Sequence, residues 1–378
     1  MSELKPVFVG KDWFPWVAGG LNRYFYGEVH SFGDSAPKIV SFVRESSPSP
    51  LRPMASEQSS LRERWRGSRR EVRRALDEGC NLVHSHFALY TFPWLRDLPK
   101  NVPLVVLFHG PYAAELAAEA TGTKGRLKAV AARAMERSVY RRAARVITLS
   151  KAFHDVATGY GVAEDRLRII PGGVNTSPYL AASTTNLARA QMRWPLDRPI
   201  LLTVRRLARR MGLEGLIDAM NIVRRAHPNV LLFIGGKGAL AGALQARIDA
   251  NGLSENVKLL GFIADDQLAS AYAAADLMIV PTVALEGFGL VTVEALASGT
   301  PVLGTPVGGT PEILRSLNED MLFASISSSD IAKKIIAVLS GEIVLPNAAQ
   351  CRTHAMKFDW KLVAPQIEIV FQEALNGS

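Results

Sequence analysis

The sequence predicts an α/β protein made of two parallel-sheet domains, and three observations carry that prediction. Short apolar runs alternate with segments of helical spacing in both halves of the chain, as they must when crossover helices return the chain to a parallel sheet. Residues 102–108 and 277–280 are apolar without interruption, the pattern of strands buried on both faces. Finally, 378 residues are enough for two domains of ordinary size, each with its own core.

The elements follow in order. Residues 5–10 read as a first strand running into a loop with Gly19 and Gly20, then a helix over 21–32; strand, Gly-rich loop and helix is a geometry by which backbone approaches phosphate, though it also makes a plain tight turn. Residues 46–60, rich in Ser and Pro, read as a loop. Residues 61–78 form a helix carrying seven arginines, with Leu61, Trp65, Val72 and Leu76 as its apolar contribution. A short strand over 81–87 would point His84 and His86 to opposite faces, a poor arrangement for joint metal ligation. The buried strand at 102–108 ends at His109, where open α/β sheets place ligands; a satisfied loop histidine is the alternative. A second basic helix over 124–144, a strand over 145–150, a helix and a strand over 167–171 complete the first half, and residues 176–198, with Pro178 and Pro195, read as the connection.

The second half restarts the rhythm with a strand at 200–204. The arginines at 205, 206, 209 and 210 then precede a helix to about 226, and guanidinium groups placed between strand and helix suit bidentate contact with phosphate. Strands over 229–234, 257–260, 277–280 and 301–304 follow, with helices between and after them. The active site of such a pair of domains is expected in the cleft between them.

Composition narrows the class. The chain is 48% hydrophobic and 21% charged, as a globular enzyme is. Its two cysteines, Cys80 and Cys351, have no metal-type spacing and point to a reducing compartment, with the cytoplasm as the expected location. No apolar stretch reaches ~18 residues, and no basic segment with an apolar run opens the chain, so neither a membrane span nor secretion is expected. The net charge is +9; residues 1–180 hold 26 Lys+Arg against 17 Asp+Glu, and the remainder 18 against 18. That basic half either faces an anionic surface, such as lipid at the inner face of the membrane, or presents solvated helix faces. No nucleic-acid module is present, and nucleic acid is not an expected partner.

The most informative stretch is 281–314, PTVALEGFGLVTVEALASGTPVLGTPVGGTPEIL. A glycine turn at 287–289 separates a strand from a helix that starts near Leu290 and stops at Gly299. The turn leaves Glu286 in the loop and puts Glu294 on the helix, so the two need not do the same job. The N–H groups of Phe288, Gly289 and Leu290 lie at the positive end of the helix dipole and suit phosphate oxygens, which marks a sugar-nucleotide site. Carboxylates touching a diphosphate would be repelled, so both glutamates belong on hydroxyls. The competing reading is an ordinary helix start with one solvated glutamate.

These residues resemble the retaining glycosyltransferase family 4 type of the GT-B fold over nearly the whole chain. The most specific match is Glu286-Gly-Phe-Gly-Leu-Val-Thr-Val-Glu294 with the ALASGTPV and GGTPEIL that follow; residues 171–175 (PGGVN), the Gly19-Gly20 loop, His109 and the Trp360 region are also similar to the family's. The resemblance implies two Rossmann-like βαβ domains facing each other across a deep cleft, residues 1–180 on the acceptor side and 181–359 on the donor side, with about 360–378 packing back on the first. It implies transfer of a sugar, with retention, from a nucleoside-diphosphate sugar to a hydroxyl of a glycan, glycolipid or small molecule, and favours UDP over GDP or ADP. Glu294 would hold the donor ribose and Glu286 the transferred sugar. The amides of Phe288, Gly289 and Leu290, with Arg206, would hold the diphosphate, while Phe262 and Ile263 would meet the base. Gly19 and Gly20 would approach from the other domain, and His109 would contact the sugar. His109, Glu286 and Arg206 are thus the expected catalytic residues. One position departs from the family: Met211 stands where a lysine is usual, and Arg209 or Arg210 is left to supply its charge. Arginine and a helix N-terminus can stabilise the leaving diphosphate without a metal, and the chain has no Asp-x-Asp pair, so neither metal nor other cofactor is expected. Two other readings compete: a sugar-nucleotide hydrolase or epimerase of the same fold, and a non-catalytic basic adaptor at membranes.

Overall fold

The computed structural model describes residues 3–14, 16–17, 19–33, 38–42, 51–56, 58–119 and 122–377. The chain divides into two units, the first running to Gly173 and resuming at Trp360, the second spanning Val174–Asp359.

Among the described residues the first unit has seven strands, β1 (Pro6–Asp12), β2 (Lys38–Phe42), β3 (Leu51–Pro53), β4 (Leu82–Ser85), β5 (Leu104–Phe108), β6 (Arg145–Thr148) and β7 (Leu167–Ile169). They form one parallel sheet in the order β3-β2-β1-β4-β5-β6-β7. All five residues of β5 are buried, so the uninterrupted apolar run reflects cover on both faces. Each such side chain contributes about 1.5–3 kcal/mol by leaving water.

The helix Leu61–Asp77 begins at a capping box: Ser60 N donates to Glu63 at 2.7 Å, and the Ser60 hydroxyl accepts from Glu63 N. It buries Gly67, Ser68, Glu71, Val72 and Ala75, while Leu61, expected in its apolar contribution, is exposed in the first turn. The helix Trp360–Asn376 belongs to this unit; Trp360 meets Tyr24 edge-on at 4.9 Å and Phe371 meets Phe8 at 5.8 Å. Glu373 near its end accepts from Arg145 at 3.2 Å and Arg168 at 2.9 Å, which fixes the helix to β6 and β7.

The second unit has, among the described residues, the strands β8 (Ile200–Val204), β9 (Leu231–Gly235), β10 (Val257–Gly261), β11 (Leu277–Val280) and β12 (Val302–Gly304), parallel in the order β10-β9-β8-β11-β12. The helix Leu213–Ala226 buries Leu213, Leu216, Ile217, Met220 and Val223, spacing that puts one apolar stripe on the sheet. In both units the strand order reverses once, between β1 and β4 and between β8 and β11. Loops leaving the carboxyl ends of those strands diverge in opposite directions and open a crevice, the place where such sheets bind ligands.

Three local expectations change. Within the expected loop 46–60, residues 46–50 and 57 lie outside the described residues, but Leu51–Pro53 is an edge strand pairing Ile39 with Leu51; Pro53 is tolerated there because an edge strand leaves one side unpaired. Residues 176–198 are not a bare connection. They include the helices Ser177–Leu180 and Thr185–Met192, held by a buried Arg189 that donates to the carbonyls of Ala274, Leu196 and Arg198 and pairs with Asp276 at 2.6 Å. Finally, His84 and His86 do not point apart. β4 ends at Ser85, so strand alternation no longer governs His86, and both rings reach the carboxylate of Glu28.

Candidate active site

In the second unit the reversal of strand order sets two loops side by side. Arg205 follows β8 and turns its guanidinium inward; its side chain is 5% exposed and ion-paired with Glu286, 12% exposed, in the loop after β11. Thr282 Oγ1 donates to the same carboxylate oxygen at 3.0 Å. The Glu286 carbonyl accepts from Gly309 N at 3.0 Å. Gly308 has φ +61°, and a Cβ on it would stand 2.0 Å from that carbonyl oxygen, so both backbone conformation and space restrict this position to glycine. Leu285, just before Glu286, holds φ 56°, a conformation that costs a non-glycine residue about 1–3 kcal/mol. Arg210 Nη1 donates to the Leu285 carbonyl at 3.1 Å and helps to hold it there.

The helix Leu290–Ala297 starts from Gly289 at φ 100°, with no side-chain cap and no acidic residue in its first turn, which leaves the positive end of its dipole uncompensated. Two hydroxyls beneath the turn, Thr292 Oγ1 and Thr310 Oγ1, are buried without a hydrogen-bond partner and lie 3.1 and 3.7 Å from where a Cβ on Gly289 would stand. Arg205 Nη1 is a further buried donor without a partner. Uncommitted donors around an open helix N-terminus suit an anion with several oxygens.

Glu294, the fifth residue of that helix, is buried and accepts from Tyr272 Oη at 2.9 Å. The two glutamates therefore have separate partners. Phe288 is buried against Phe358, with ring centroids 5.4 Å apart, and Leu290 is half-buried. Arg206 and Arg209 are exposed, whereas Met211 is buried in the unit's core. Phe262 is half-exposed with the Lys237 ammonium 5.2 Å from its ring centre. Ile263 is buried against Gly235, so its side chain is committed to packing.

In the first unit Gly19 precedes the helix Gly20–Ser31 with φ 146°, and both Gly19 and Gly20 are exposed. His86 lies just beyond β4 and His109 just beyond β5. His86 Nδ1 and His109 Nε2 are 2.9 Å apart; Phe87 stacks on His109 at 5.7 Å, and Tyr24 meets it edge-on at 5.1 Å. Behind them Glu28 Oε1 faces His84 Nε2 at 2.9 Å, and Glu28 Oε2 lies 3.0 Å from His86 Nε2 in a bent contact outside good hydrogen-bond geometry. Burial works to raise the Glu28 carboxyl, but the two histidines outweigh it and hold it well below the usual carboxylate range. Burial, reinforced by neighbouring His86, pushes His109 well below the ordinary histidine value, and burial also lowers His86 against the pull of Glu28.

Among the described residues Glu28, His84 and His86 form a group whose ligand-type atoms lie within 4.8 Å of one another. The facing atoms are at hydrogen-bond separations, whereas tetrahedral ligands about 2.0–2.1 Å from zinc sit roughly 3.3 Å apart. The arrangement is that of a hydrogen-bonded network. Thr282, Tyr272, Thr292, Thr310 and the partner of Arg205 carry no signature in the sequence that marks them for the site. The one signal for Glu28 was an acidic residue inside a helical segment of aromatic and apolar residues.

Residues 27–178 match the family described as Glycosyltransferase Family 4, and residues 185–358 match Glycosyl transferases group 1. The chain belongs to the family 4 glycosyltransferases. Its curated relatives include an uncharacterized glycosyltransferase of Methanocaldococcus jannaschii, 30% identical over 61% of this chain, and a phosphatidyl-myo-inositol mannosyltransferase of Mycobacterium leprae, 31% identical over 55%. The matched region spans 60% and 54% of those two relatives' own lengths. Among solved structures, HepE of Anabaena in complex with UDP-glucose aligns with a TM-score of 0.75 at 20% identity, covering 98% of this chain and all of that one. That likeness shows that this family 4 glycosyltransferase has the GT-B fold.

Proposed function

We propose that the chain moves a sugar from a nucleoside-diphosphate sugar to a hydroxyl acceptor, with UDP as the nucleotide and retention at the anomeric carbon. The observation that carries the reading is the uncapped helix at Gly289, with its unpartnered threonine hydroxyls, beside the Arg205–Glu286 pair at the strand-order reversal. A diphosphate would find N–H groups of the Leu290 helix, those hydroxyls and the guanidinium of Arg206 there. Arg210, already on the Leu285 carbonyl, is the better candidate than Arg209 for the charge that Met211 does not carry.

Negative charge grows on the diphosphate as the glycosidic bond breaks, and donors fixed in place beforehand stabilise it without reorganising. Glu286 would take hydroxyls of the transferred sugar, and Glu294, with Tyr272, those of the ribose. His109 would meet the sugar. None of these steps needs a bound metal. The complexes of HepE with UDP and UDP-glucose support the choice of nucleotide.

The acceptor is proposed to lie at an anionic lipid surface. The helix Gly122–Arg142 exposes Leu127 (69%) and Val130 (66%) among Lys124, Arg126, Lys128 and Arg133, a combination suited to the boundary between headgroups and acyl chains. Flotation with anionic vesicles that disappears at high salt is the expected result; absence of flotation at low salt removes this part of the reading.

Thermal shift with UDP, GDP and ADP tests the site. A ligand of the folded state at 100 times its Kd adds about 2.7 kcal/mol of apparent stability. UDP should raise Tm in the wild type, and Arg206→Ala, an exposed position, should abolish the shift without lowering the unliganded Tm. A UDP shift that persists in both Arg206→Ala and Glu294→Gln overturns the assignment.

A further inference from the structure

We infer that Glu28 is a positioning residue that fixes His109, through His86, in the tautomer with its proton on Nε2 and a bare, hydrogen-bond-accepting Nδ1. Glu28 projects from the helix Gly20–Ser31, and the side chains of Glu28, His84 and His86 are all fully buried. An ionised carboxylate can only accept, so a ring nitrogen held against it must carry a proton. His84 Nε2 meets Oε1 at 2.9 Å, and His86 Nε2 meets Oε2 at 3.0 Å. The second contact is bent, yet a lone pair of His86 held this close to a buried anion would be repelled.

A neutral imidazole has a single N–H. With that proton on Nε2, His86 Nδ1 is an acceptor, and it faces His109 Nε2 across 2.9 Å. Two lone pairs do not share that distance, so His109 Nε2 donates. The other groups around His109 do not compete: Phe87 offers a ring face, and Tyr24 meets the imidazole edge-on with a hydroxyl that makes no hydrogen bond to it. Burial also keeps His109 itself neutral near pH 7. Its remaining nitrogen, Nδ1, therefore has no proton to give.

The tautomer follows from the contacts between neutral buried rings, but its meaning rests on the proposed function. There His109 would accept a hydrogen bond from a sugar hydroxyl, the reverse of the donor role that a histidine at this position first suggests. Its lone pair would orient that hydroxyl, and Glu28, which touches no substrate, would act only by keeping the lone pair in place.

Long-range proton–nitrogen NMR of the full chain labelled with nitrogen-15 histidine, near pH 7.5, tests the inference, with His109→Gln identifying the His109 signals. The expected spectrum has His109 Nε2 in the N–H range and Nδ1 in the bare-nitrogen range. A proton on Nδ1 overturns the proposal, and so does a mixture of tautomers in the wild type. In Glu28→Gln the amide can turn either its oxygen or its NH2 toward His86, so both His109 nitrogens should move toward averaged values. An unchanged His109 spectrum in that variant also refutes the role of Glu28. Should Glu28→Gln not fold, the wild-type spectrum still decides. Failure of the glycosyl-transfer reading would leave these spectra untouched, so the two can fail separately.

Discussion

Replacing Arg205 by Ala strands a carboxylate. Glu286 would keep the Thr282 hydroxyl but lose its cation at a site where both side chains are nearly enclosed, 5% and 12% exposed. Removing one partner of a buried ion pair costs about 3–5 kcal/mol, because the remaining charge is neither hydrated nor paired. For a unit the size of Val174–Asp359, each kcal/mol moves Tm by about 2–4 °C, so Arg205→Ala should lower the melting of that unit by about 6–20 °C. Replacing both residues, as Arg205→Met with Glu286→Leu, leaves no orphaned charge and should recover most of the loss, as apolar replacements of buried pairs often do. Urea titrations of Arg205→Met, Glu286→Leu and the double variant give the coupling energy, expected at about 3 kcal/mol or more because the double variant recovers most of what either single change loses. If the double variant loses as much as the two single variants added together, the side chains do not interact.

Two further outcomes follow from burial. His86 and His109 titrate below the ordinary histidine value when folded, so the unfolded chain binds more protons between the folded pKa and about 6.5, and stability is lost as pH falls through that window. Each group adds a slope of up to about 1.4 kcal/mol per pH unit, and melts between pH 8 and 5 should show the first unit weakening below 6.5, less steeply in His109→Gln; a flat profile contradicts the burial of these rings. Burial pushes the Cys351 thiol up to about 12 and raises Cys80 as well, so at pH 8 iodoacetamide should label neither until urea unfolds the chain. Prompt labelling of the folded protein would refute that.

What the sequence makes legible is local. The strands at 104–108 and 277–280 announce themselves because both faces are covered and every residue is apolar. The turn at 287–289 separates Glu286 from Glu294 by glycine chemistry alone, and the structure has one on the loop and the other on the helix. β3 is hidden, since a short edge strand ending in Pro53 has no continuous apolar run to show. The contacts that organise the site are hidden for a different reason. Arg205 and Glu286 are 81 residues apart, and Glu28 and His84 are 56 apart; only the strand order brings them together. Thr292 and Thr310 look like ordinary helix threonines until the turn at Gly289 is in place above them.

The helix Trp360–Asn376 completes the first unit only after the chain has passed through the whole of the second. Synthesis from the N-terminus therefore delivers the parts out of order. The second unit has all its residues when position 359 leaves the ribosome, while the first still lacks the helix that covers Phe8 and Tyr24 with Phe371 and Trp360. Until then a patch of aromatic surface on the first unit of the nascent chain is open to solvent. Transiently exposed apolar surface is prone to aggregation, and a stop codon just before Trp360 would make the interval permanent.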